Sequence, residues 1–327
     1  MKKLIAAAAA TLFATLAPAG ASFAFEAGNT ECIAPANAGG GWDFTCRQVG
    51  KALYDLKIVP SPVQVINLAG GGGGVAFAEV VAKRNGDDSL IVAASSATTT
   101  RLAQGAFPGA SKDQVRWLGT IGADYGVIAV SKDSPVETLA DLFEAVKENP
   151  SAVAFAGGSA VGGWDHLKVL IAAKAAGIDD ARAIKYVAFE GGGEAVTQLL
   201  GGHVQAFSGD ISETKGFVDS GDLKVLAVLA DERLPGEFGQ FPTAKEQGID
   251  AVGANWRGFY APGGMSDDAY DFWVDAIKTT YESDEWQAVM EANGLMPLAE
   301  FGADFDAFVS GEIANTEALS REIGILQ

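Results

Sequence analysis

Short apolar segments and amphipathic segments alternate along most of the chain. Val63–Asn67 and Ser89–Ala94 have the length and apolar content of buried strands, and Val75–Lys83 between them has apolar residues at helical spacing. Glu31–Pro35, followed by the amphipathic Asp43–Leu53, has the same order. Strands that alternate with helices are typical of α/β folds, so the pattern predicts a largely parallel sheet.

The same order returns in the second half of the chain. The predicted strands are Tyr125–Val130, Val153–Ala156, Ile184–Phe189, Val204–Phe207, Lys224–Leu229 and Asn255–Pro262. The predicted helices are Leu139–Lys147, His166–Ala176, a segment ending at Leu200, Asp267–Tyr281, Glu285–Asn293 and Phe301–Ile313. Because a single core rarely serves 327 residues, we expect two domains, residues 25–124 with 256–327 and residues 125–255. Strand-like crossings near residues 122–130 and 251–258 would join them, and the C-terminal helices would return to the first domain.

Four glycine clusters separate predicted strands from predicted helices. They are Gly39–Gly41, Gly70–Gly74, Gly157–Gly163 and Gly191–Gly193. Glycine lets the backbone turn tightly and approach a ligand closely, and the following helix directs the positive end of its dipole at the same place. The clusters therefore predict sites for an anion. For Gly70–Gly74 a flexible turn that packs helix on strand is the alternative, and for Gly157–Gly163 a plain helix entry.

The N-terminus has the pattern of a signal peptide, which is expected to be residues 1–24. Met1–Lys3 is basic, Leu4–Leu16 is apolar, and Ser22–Ala24 has small residues at the positions that a signal peptidase recognises. We expect cleavage after Ala24 and export to the periplasm. The apolar stretch is short for a membrane span, and the sequence contains no second long apolar segment.

The chain is strongly acidic, with 23 basic and 42 acidic residues and a formal charge of −19. This field disfavours nucleic acid or an anionic membrane as a partner. A small anionic ligand is compatible with it, since backbone amides can make a cleft positive locally while the surface is negative.

Cys32 and Cys46 are the two cysteines of the sequence. An even number of cysteines in an exported chain favours a disulfide. The bridge would close a loop of about 15 residues around Gly39–Gly41 and stabilise the fold by roughly 3 kcal/mol. The two cysteines and the distant His166 and His203 have none of the spacings of zinc sites, so no metal is predicted.

The second glycine cluster also fits a loose dinucleotide-binding pattern, with Gly71, Gly73 and Ala76 at the required spacing. A nucleotide-binding domain would place an acid at the end of the next strand to bind the ribose, and that strand runs into Ser95 and Ser96 instead. A nucleotide-type binding protein is thus a minor alternative, and no cofactor is predicted.

Five side chains outside the glycines are candidates with two interpretations each. Ser159 would add a hydroxyl donor to its loop; as a nucleophile it lacks the elbow pattern, because valine stands two positions later. His166 would either pack or shape that loop. Asp43 is first a helix N-cap and second a ligand contact. Arg257 would pair with a ligand carboxylate or form a surface salt bridge, and Thr98 would line a cleft or cap a short helix.

Five motifs in order resemble the periplasmic substrate-binding proteins of the tripartite tricarboxylate transporters, the TctC or Bug family. They are Cys32–Asp43, with Ala38 in place of the family's usual proline, Val65–Asn67 with the glycines that follow, Gly157–Leu167, Phe189–Ala195 and Trp256–Pro262. The resemblance covers nearly the whole mature chain.

The resemblance implies a two-domain, type II-like periplasmic binding protein fold that closes on a carboxylate-bearing ligand. Amides of the first and third glycine loops would hold one carboxylate. The Cys32 and Cys46 pair is similar to members of the citrate-type branch, which implies citrate or a related tri- or dicarboxylate. The implied partners are the membrane permease subunits of the transporter, the chain would not be an enzyme, and we expect a monomer.

Together these arguments predict a ligand site in a cleft between two lobes, at the carboxyl ends of their strands. The predicted ligand-binding residues are Ala38, Gly39, Gly40, Gly41, Asp43, Ser95, Thr98, Gly158, Ser159, Gly162, Gly163, His166, Asp210 and Arg257. Two further function classes stay open from the residues alone, an exported α/β hydrolase and a secreted interaction module.

Overall fold

The computed structural model describes residues 25–178, 180 and 183–326, and the predicted signal peptide lies outside them. The strands are β1 (Glu31–Ala34), β2 (Gln64–Asn67), β3 (Leu90–Ser95), β4 (Val115–Ser131), β5 (Ala154–Gly157), β6 (Lys185–Ala188), β7 (Ala206–Asp210), β8 (Leu223–Val228) and β9 (Ala254–Pro262). The helices are α1 (Gly41–Asp55), α2 (Gly74–Lys83), α3 (Ser96–Ala103), α4 (Leu139–Glu148), α5 (Trp164–Ala175), α6 (Gly192–Leu200), α7 (Ile211–Asp219), α8 (Asp267–Glu282), α9 (Asp284–Asn293) and α10 (Gly302–Glu322).

The strands form a mixed sheet in the order β2-β1-β3-β9-β4-β7-β5-β6, and β8 also pairs with β4. Pairing is parallel among β1, β2 and β3 and among β5, β6 and β7. β4 and β9 are antiparallel to each other and to their other neighbours, so the prediction of a largely parallel sheet is wrong at its centre. The physical reason is that the chain passes from the first half of the sheet to the second in β4 and runs back in the opposite direction in β9.

The long strand β4 belongs to both halves of the molecule. Its residues 115–125 pair with β9, and its residues 126–131 pair with β7 and β8. Apolar side chains cover both faces of each half. The C-terminal helices pack on the first half, where Trp273 and Trp286 share a core with the disulfide.

The predicted disulfide is confirmed, and it joins β1 to α1. The Cα atoms of Cys32 and Cys46 are 5.7 Å apart, and both side chains are fully buried. Between them Gly39 has φ of 84°, a backbone conformation that favours glycine, and the turn ends at Gly40, the N-cap of α1. The first glycine loop is therefore held at both ends.

Most predicted elements occur within a few residues of their predicted bounds, whereas α7 and the first half of β4 were not predicted. Helix α3 is the short helix that was one of the two interpretations for Thr98. Helix α3 contains three successive threonines, which have low helix propensity, and it is stabilised by a capping box between Ser95 and Thr98. No helix in the described part of the chain is long and apolar enough to cross a membrane.

Candidate functional site

Five helices begin at the walls of a small cavity between the two lobes, α1, α3, α5, α6 and α7. The cavity measures about 40 Å³, and its lining residues are Ala36, Gly40, Gly41, Trp42, Ser95, Ala97, Gly158, Ser159, Asp165, Gly191, Asp210, Glu213, Asn255 and Arg257. A larger groove of about 460 Å³ lies beside α2, but none of the described residues that line it is charged. The smaller cavity is therefore the candidate site for an ionic ligand.

Three glycine loops approach one another closely here. Between the lobes, a Cβ added to Gly40 would lie 3.2 Å from the Cα of Gly191; within the second lobe, one added to Gly158 would lie 2.5 Å from the backbone nitrogen of Gly192. Side chains at these positions would separate the loops, so glycine is needed for the approach itself.

A carboxyl group of the second lobe lies on the first glycine loop. The backbone N–H of Gly41 donates to Oε1 of Glu213 at 2.7 Å, and the N–H of Asp210 donates to Oε2 at 3.2 Å. The Gly41 amide is the first of helix α1, where N–H groups have no partner within the helix. The position suits a negatively polarised oxygen.

Two buried cations lie among the carboxylates around this cavity. Arg257 Nη2 lies 2.8 Å from Oδ2 of both Asp124 and Asp210, and Lys168 Nζ lies 2.7 Å from Asp210 Oδ1 and 2.9 Å from Asp165 Oδ1. Asn255 adds an amide hydrogen bond of 2.6 Å to Asp210 Oδ2. Since all of these side chains are at least nine-tenths buried, each ion pair is poorly screened by water.

Burial and neighbouring charges shift the pKa values of these groups in opposite directions. Burial raises the pKa of Glu213 to about 8, with Asp210 and Asp165 adding negative charge nearby. Burial would also raise the pKa of Asp210, but Lys168 and Arg257 outweigh it and hold that pKa below its usual value. Asp210 is thus the ionised partner of both cations, and Glu213 is mainly protonated at neutral pH.

The two remaining acids of the cluster have pKa values shifted upward. Burial is the largest cause for both Asp124 and Asp165, and it outweighs the attraction of Arg257 and Lys168. In the described residues, no group of three or more His, Cys, Asp or Glu is arranged to hold a metal ion.

Half of the predicted site residues line this cavity. These are Gly40, Gly41, Ser95, Gly158, Ser159, Asp210 and Arg257. Arg257 is 3% exposed, so the surface salt bridge considered for it is wrong. Ser159 Oγ accepts the N–H of Asp165 at 2.9 Å, so its hydroxyl shapes the entry to α5.

The other predicted residues surround the cavity without lining it. They are Ala38, Gly39, Asp43, Thr98, Gly162, Gly163 and His166. Asp43 is not the N-cap of α1, which is Gly40; it lies in the first helical turn and accepts the N–H of Gly39 at 3.0 Å. His166 Nδ1 accepts the N–H of Gly162 at 3.0 Å, so it shapes the third loop, and Thr98 completes the cap of α3.

Sequence reasoning missed several polar residues of the site, namely Asp124, Asp165, Lys168, Glu213 and Asn255. Asp210 and Glu213 have the spacing of a capping box, which would have predicted α7 and placed Glu213 at its first turn. For Asp124 and Asn255 no local signal exists, because they lie on strands that meet only across the sheet.

A protein-family profile described as the tripartite tricarboxylate transporter family receptor, TctC, matches residues 46–325. The chain belongs to this family. As a TctC-family receptor it is a binding protein and not an enzyme.

Two relatives of this TctC-family receptor come from Bordetella pertussis. BugT is 27% identical over 199 residues, which cover 61% of this chain and 59% of BugT. Another protein of that organism is 22% identical over 214 residues, covering 65% of this chain and 64% of the relative. Both alignments span less than two thirds of the relatives' own lengths.

Solved structures have the same fold as this TctC-family receptor. The periplasmic binding protein BugD has a TM-score of 0.81 at 22% identity, covering 92% of this chain and 99% of BugD. MatC from Rhodopseudomonas palustris, solved with bound malate, has a TM-score of 0.78 at 20% identity, covering 90% of this chain and 99% of MatC. The predicted two-lobed periplasmic binding protein fold is confirmed.

Proposed function

We propose that the protein is the periplasmic receptor of a tripartite tricarboxylate transporter, which captures a small carboxylate between its lobes and delivers it to the membrane subunits. The observation that carries the proposal is the hydrogen bond of 2.7 Å that the Gly41 N–H donates to the carboxyl group of Glu213. A ligand carboxylate would fit the same donor, with the charge-assisted hydrogen bond that an ionised acceptor forms.

A buried donor on Arg257 supports a ligand at the same cavity. Its Nε has no hydrogen-bond partner among the described residues, although the side chain is 3% exposed and lines the cavity. An unpaired buried donor costs about 1–3 kcal/mol, so an acceptor supplied by a ligand would be favoured. We propose Gly40, Gly41, Gly158, Ser159 and Arg257 as ligand contacts, and the predicted residues outside the lining as supports of the loops.

Cross-lobe hydrogen bonds support capture by domain closure. The N–H of Asn37 donates to the carbonyl of Glu190 at 2.8 Å, the N–H of Gly70 donates to Glu190 Oε2 at 3.1 Å, and Gln104 Nε2 donates to the carbonyl of Gly162 at 2.7 Å. Contacts of this kind exist only when the lobes meet, so a ligand that bridges them shifts the equilibrium toward the closed form. The membrane subunits would recognise that form.

The proposed ligand class is citrate and related tri- and dicarboxylates. Of the described residues, the cation that lines the cavity is Arg257, and Lys168 lies next to it on Asp210; both are already paired with aspartates. Each further ligand charge would therefore lack a free cation, which favours the dicarboxylates within this class. MatC, which shares the fold, was solved with the dicarboxylate malate.

Export and domain organisation belong to the same proposal. The signal peptide would be residues 1–24, and the mature protein would be a monomer. We propose the domain division at residues 25–124 with 256–327 and residues 125–255, supported by the change of β4 partners after residue 125.

Isothermal titration of the mature protein with malate, succinate, adipate and citrate tests this function, together with small-angle scattering. We expect saturable heat with at least one of these acids and a smaller radius of gyration when it is bound. Absence of heat and of any thermal shift with all four acids would contradict the proposal.

A further inference from the structure

Glu213 accepts a hydrogen bond from the Gly41 N–H, the donor that the proposed function assigns to a ligand. Its Oε1 accepts the Gly41 N–H and its Oε2 accepts the Asp210 N–H, so the carboxyl group bridges the two lobes. A Cβ added to Gly192 would lie 2.7 Å from the carboxyl carbon of Glu213, so this carboxyl is packed closely against the start of α6. A ligand carboxylate that takes the Gly41 amide must therefore displace Oε1 of Glu213.

The displaced carboxyl group of Glu213 stays close to the Gly41 amide. Its Oε2 is held by the N–H of Asp210 at 3.2 Å, and its carboxyl carbon is packed against Gly192. A ligand carboxylate on Gly41 would thus be in contact with the carboxyl group of Glu213. Two carboxyl groups in contact inside a protein share one proton, because two adjacent negative charges cannot both be stabilised there.

The groups that face Glu213 decide which carboxyl carries that proton. Asp210 on β7 and Asp165 on α5 add negative charge, Arg257 on β9 and Lys168 on α5 add positive charge, and the phenol of Tyr186 on β6 is buried nearby. Asp124 on β4 shares Arg257 with Asp210. With all acids ionised, four carboxylates would face two cations, so the proton is best held at Glu213.

We propose that Glu213 is a ligand-binding residue of the cleft that yields the Gly41 amide to the ligand's carboxylate and, in its protonated form, donates a hydrogen bond to that carboxylate. The inference rests on the proposed function. Ligand binding is then coupled to one proton: protein with ionised Glu213 must take a proton from solvent before it can accept the anion.

This coupling has a defined pH dependence. Since burial raises the pKa of Glu213 to about 8, the group is mainly protonated at pH 7 and below, and binding takes up almost no proton there. Above it, affinity falls toward tenfold per pH unit, so that between pH 7 and pH 9.5 it decreases by about 30-fold. At pH 9 each binding event takes up about 0.9 proton.

Calorimetry on the full mature chain tests the coupling, with the wild type, Glu213→Gln and Glu194→Gln. Each is titrated with malate, succinate, adipate and citrate from pH 6 to pH 9.5, in pairs of buffers of different ionisation enthalpy that report proton uptake. Glu194 lies on the exposed side of α6, where it accepts a hydrogen bond of 3.4 Å from Asn37 Nδ2 that a Gln oxygen can also accept, and it is the matched control. Gln at position 213 keeps an acceptor for Gly41 and an N–H donor for the ligand but cannot titrate.

We expect the wild type and Glu194→Gln to lose affinity above pH 8 with proton uptake, and Glu213→Gln to bind within a few-fold of wild type at pH 7 with no such loss. Wild-type binding that is independent of pH, or a slope retained in Glu213→Gln, would overturn the inference and leave the receptor function intact. No binding of any acid by the wild type at pH 6.5 would instead refute the receptor function and the inference with it. A merely structural role of Glu213 would lower stability or affinity at every pH without removing the slope.

Discussion

Lys168 Nζ lies 2.7 Å from Oδ1 of Asp210, and neither side chain is more than 3% exposed. The same ammonium group donates to the carbonyl of Gly209 at 2.7 Å and pairs with Asp165 at 2.9 Å. Three buried acceptors from β7 and α5 therefore depend on one cation. Asp165 and Asp210 of this ion cluster line the candidate site, and Asp210 is also the N-cap of α7.

Replacement of Lys168 by Met should destabilise the fold strongly. It leaves Asp210 and Asp165 without their nearer cation in a water-excluded position, which costs about 3–5 kcal/mol for broken buried pairs. Urea unfolding at pH 7 measures the loss. Lys132→Met is the control, since its pair with Asp222 is exposed and 3.7 Å long, and we expect no measurable change. A loss below about 1 kcal/mol for Lys168→Met would contradict this account.

His166 should make stability depend on pH in the acid range. Burial lowers the pKa of this histidine to about 4, while the unfolded chain protonates it near pH 6.5. The unfolded state therefore binds more protons between those pH values, so the contribution of His166 is present above pH 6.5 and is lost as pH falls toward 4. The loss is on the order of 2–3 kcal/mol.

The difference in unfolding free energy between wild type and His166→Gln, measured from pH 4 to pH 7, isolates this contribution. It should shrink as the pH falls toward 4. Parallel stability curves for wild type and His166→Gln would show that the histidine is not held neutral by the fold.

Gly158→Ala should weaken ligand binding at least tenfold. The added Cβ would lie 2.5 Å from the backbone nitrogen of Gly192, and because backbone cannot yield as a flexible side chain can, the two loops must separate. Gly311→Ala in α10 is the matched control, with open space around its Cβ and an expected stabilisation of about 0.5–1 kcal/mol. Titration with the acids above gives the affinities, and wild-type affinity in Gly158→Ala would contradict the proposed role of the loop.

Ile325→Ala should favour the open form. The segment after α10 packs Ile325 against Trp164 and Leu167 of α5, so it joins a helix anchored on the first half of the sheet to the second lobe. Loss of about 1 kcal/mol of apolar contact would reduce ligand affinity by up to about fivefold, and at a ligand concentration near the wild-type Kd it would enlarge the radius of gyration measured by scattering. Leu200→Ala, which removes a 39% exposed leucine from α6, should change neither quantity. An unchanged radius of gyration in Ile325→Ala would show that the segment after α10 does not hold the two lobes together.

Local signals were sufficient for most of the fold. Each strand and helix with a clear apolar period was predicted, since burial of one face imposes that period whatever the partner is. Helix α7 was missed although its capping box, Asp210 with Glu213, has a spacing that can be recognised in the sequence. The antiparallel centre of the sheet was also missed, because strand direction depends on how β4 and β9 cross between the lobes.

The candidate site, like the fold, was predicted in part from the sequence. The sequence alone determined the glycine loops, the cysteine pair and the family motifs, because backbone conformation, cross-link chemistry and close approach depend on residue type at neighbouring positions. Only the tertiary structure decided that Glu213 lies on the amide of Gly41, 172 positions away, and that Arg257 pairs with internal aspartates. Charge and protonation depend on distance and burial, and folding sets both for residues far apart in the chain.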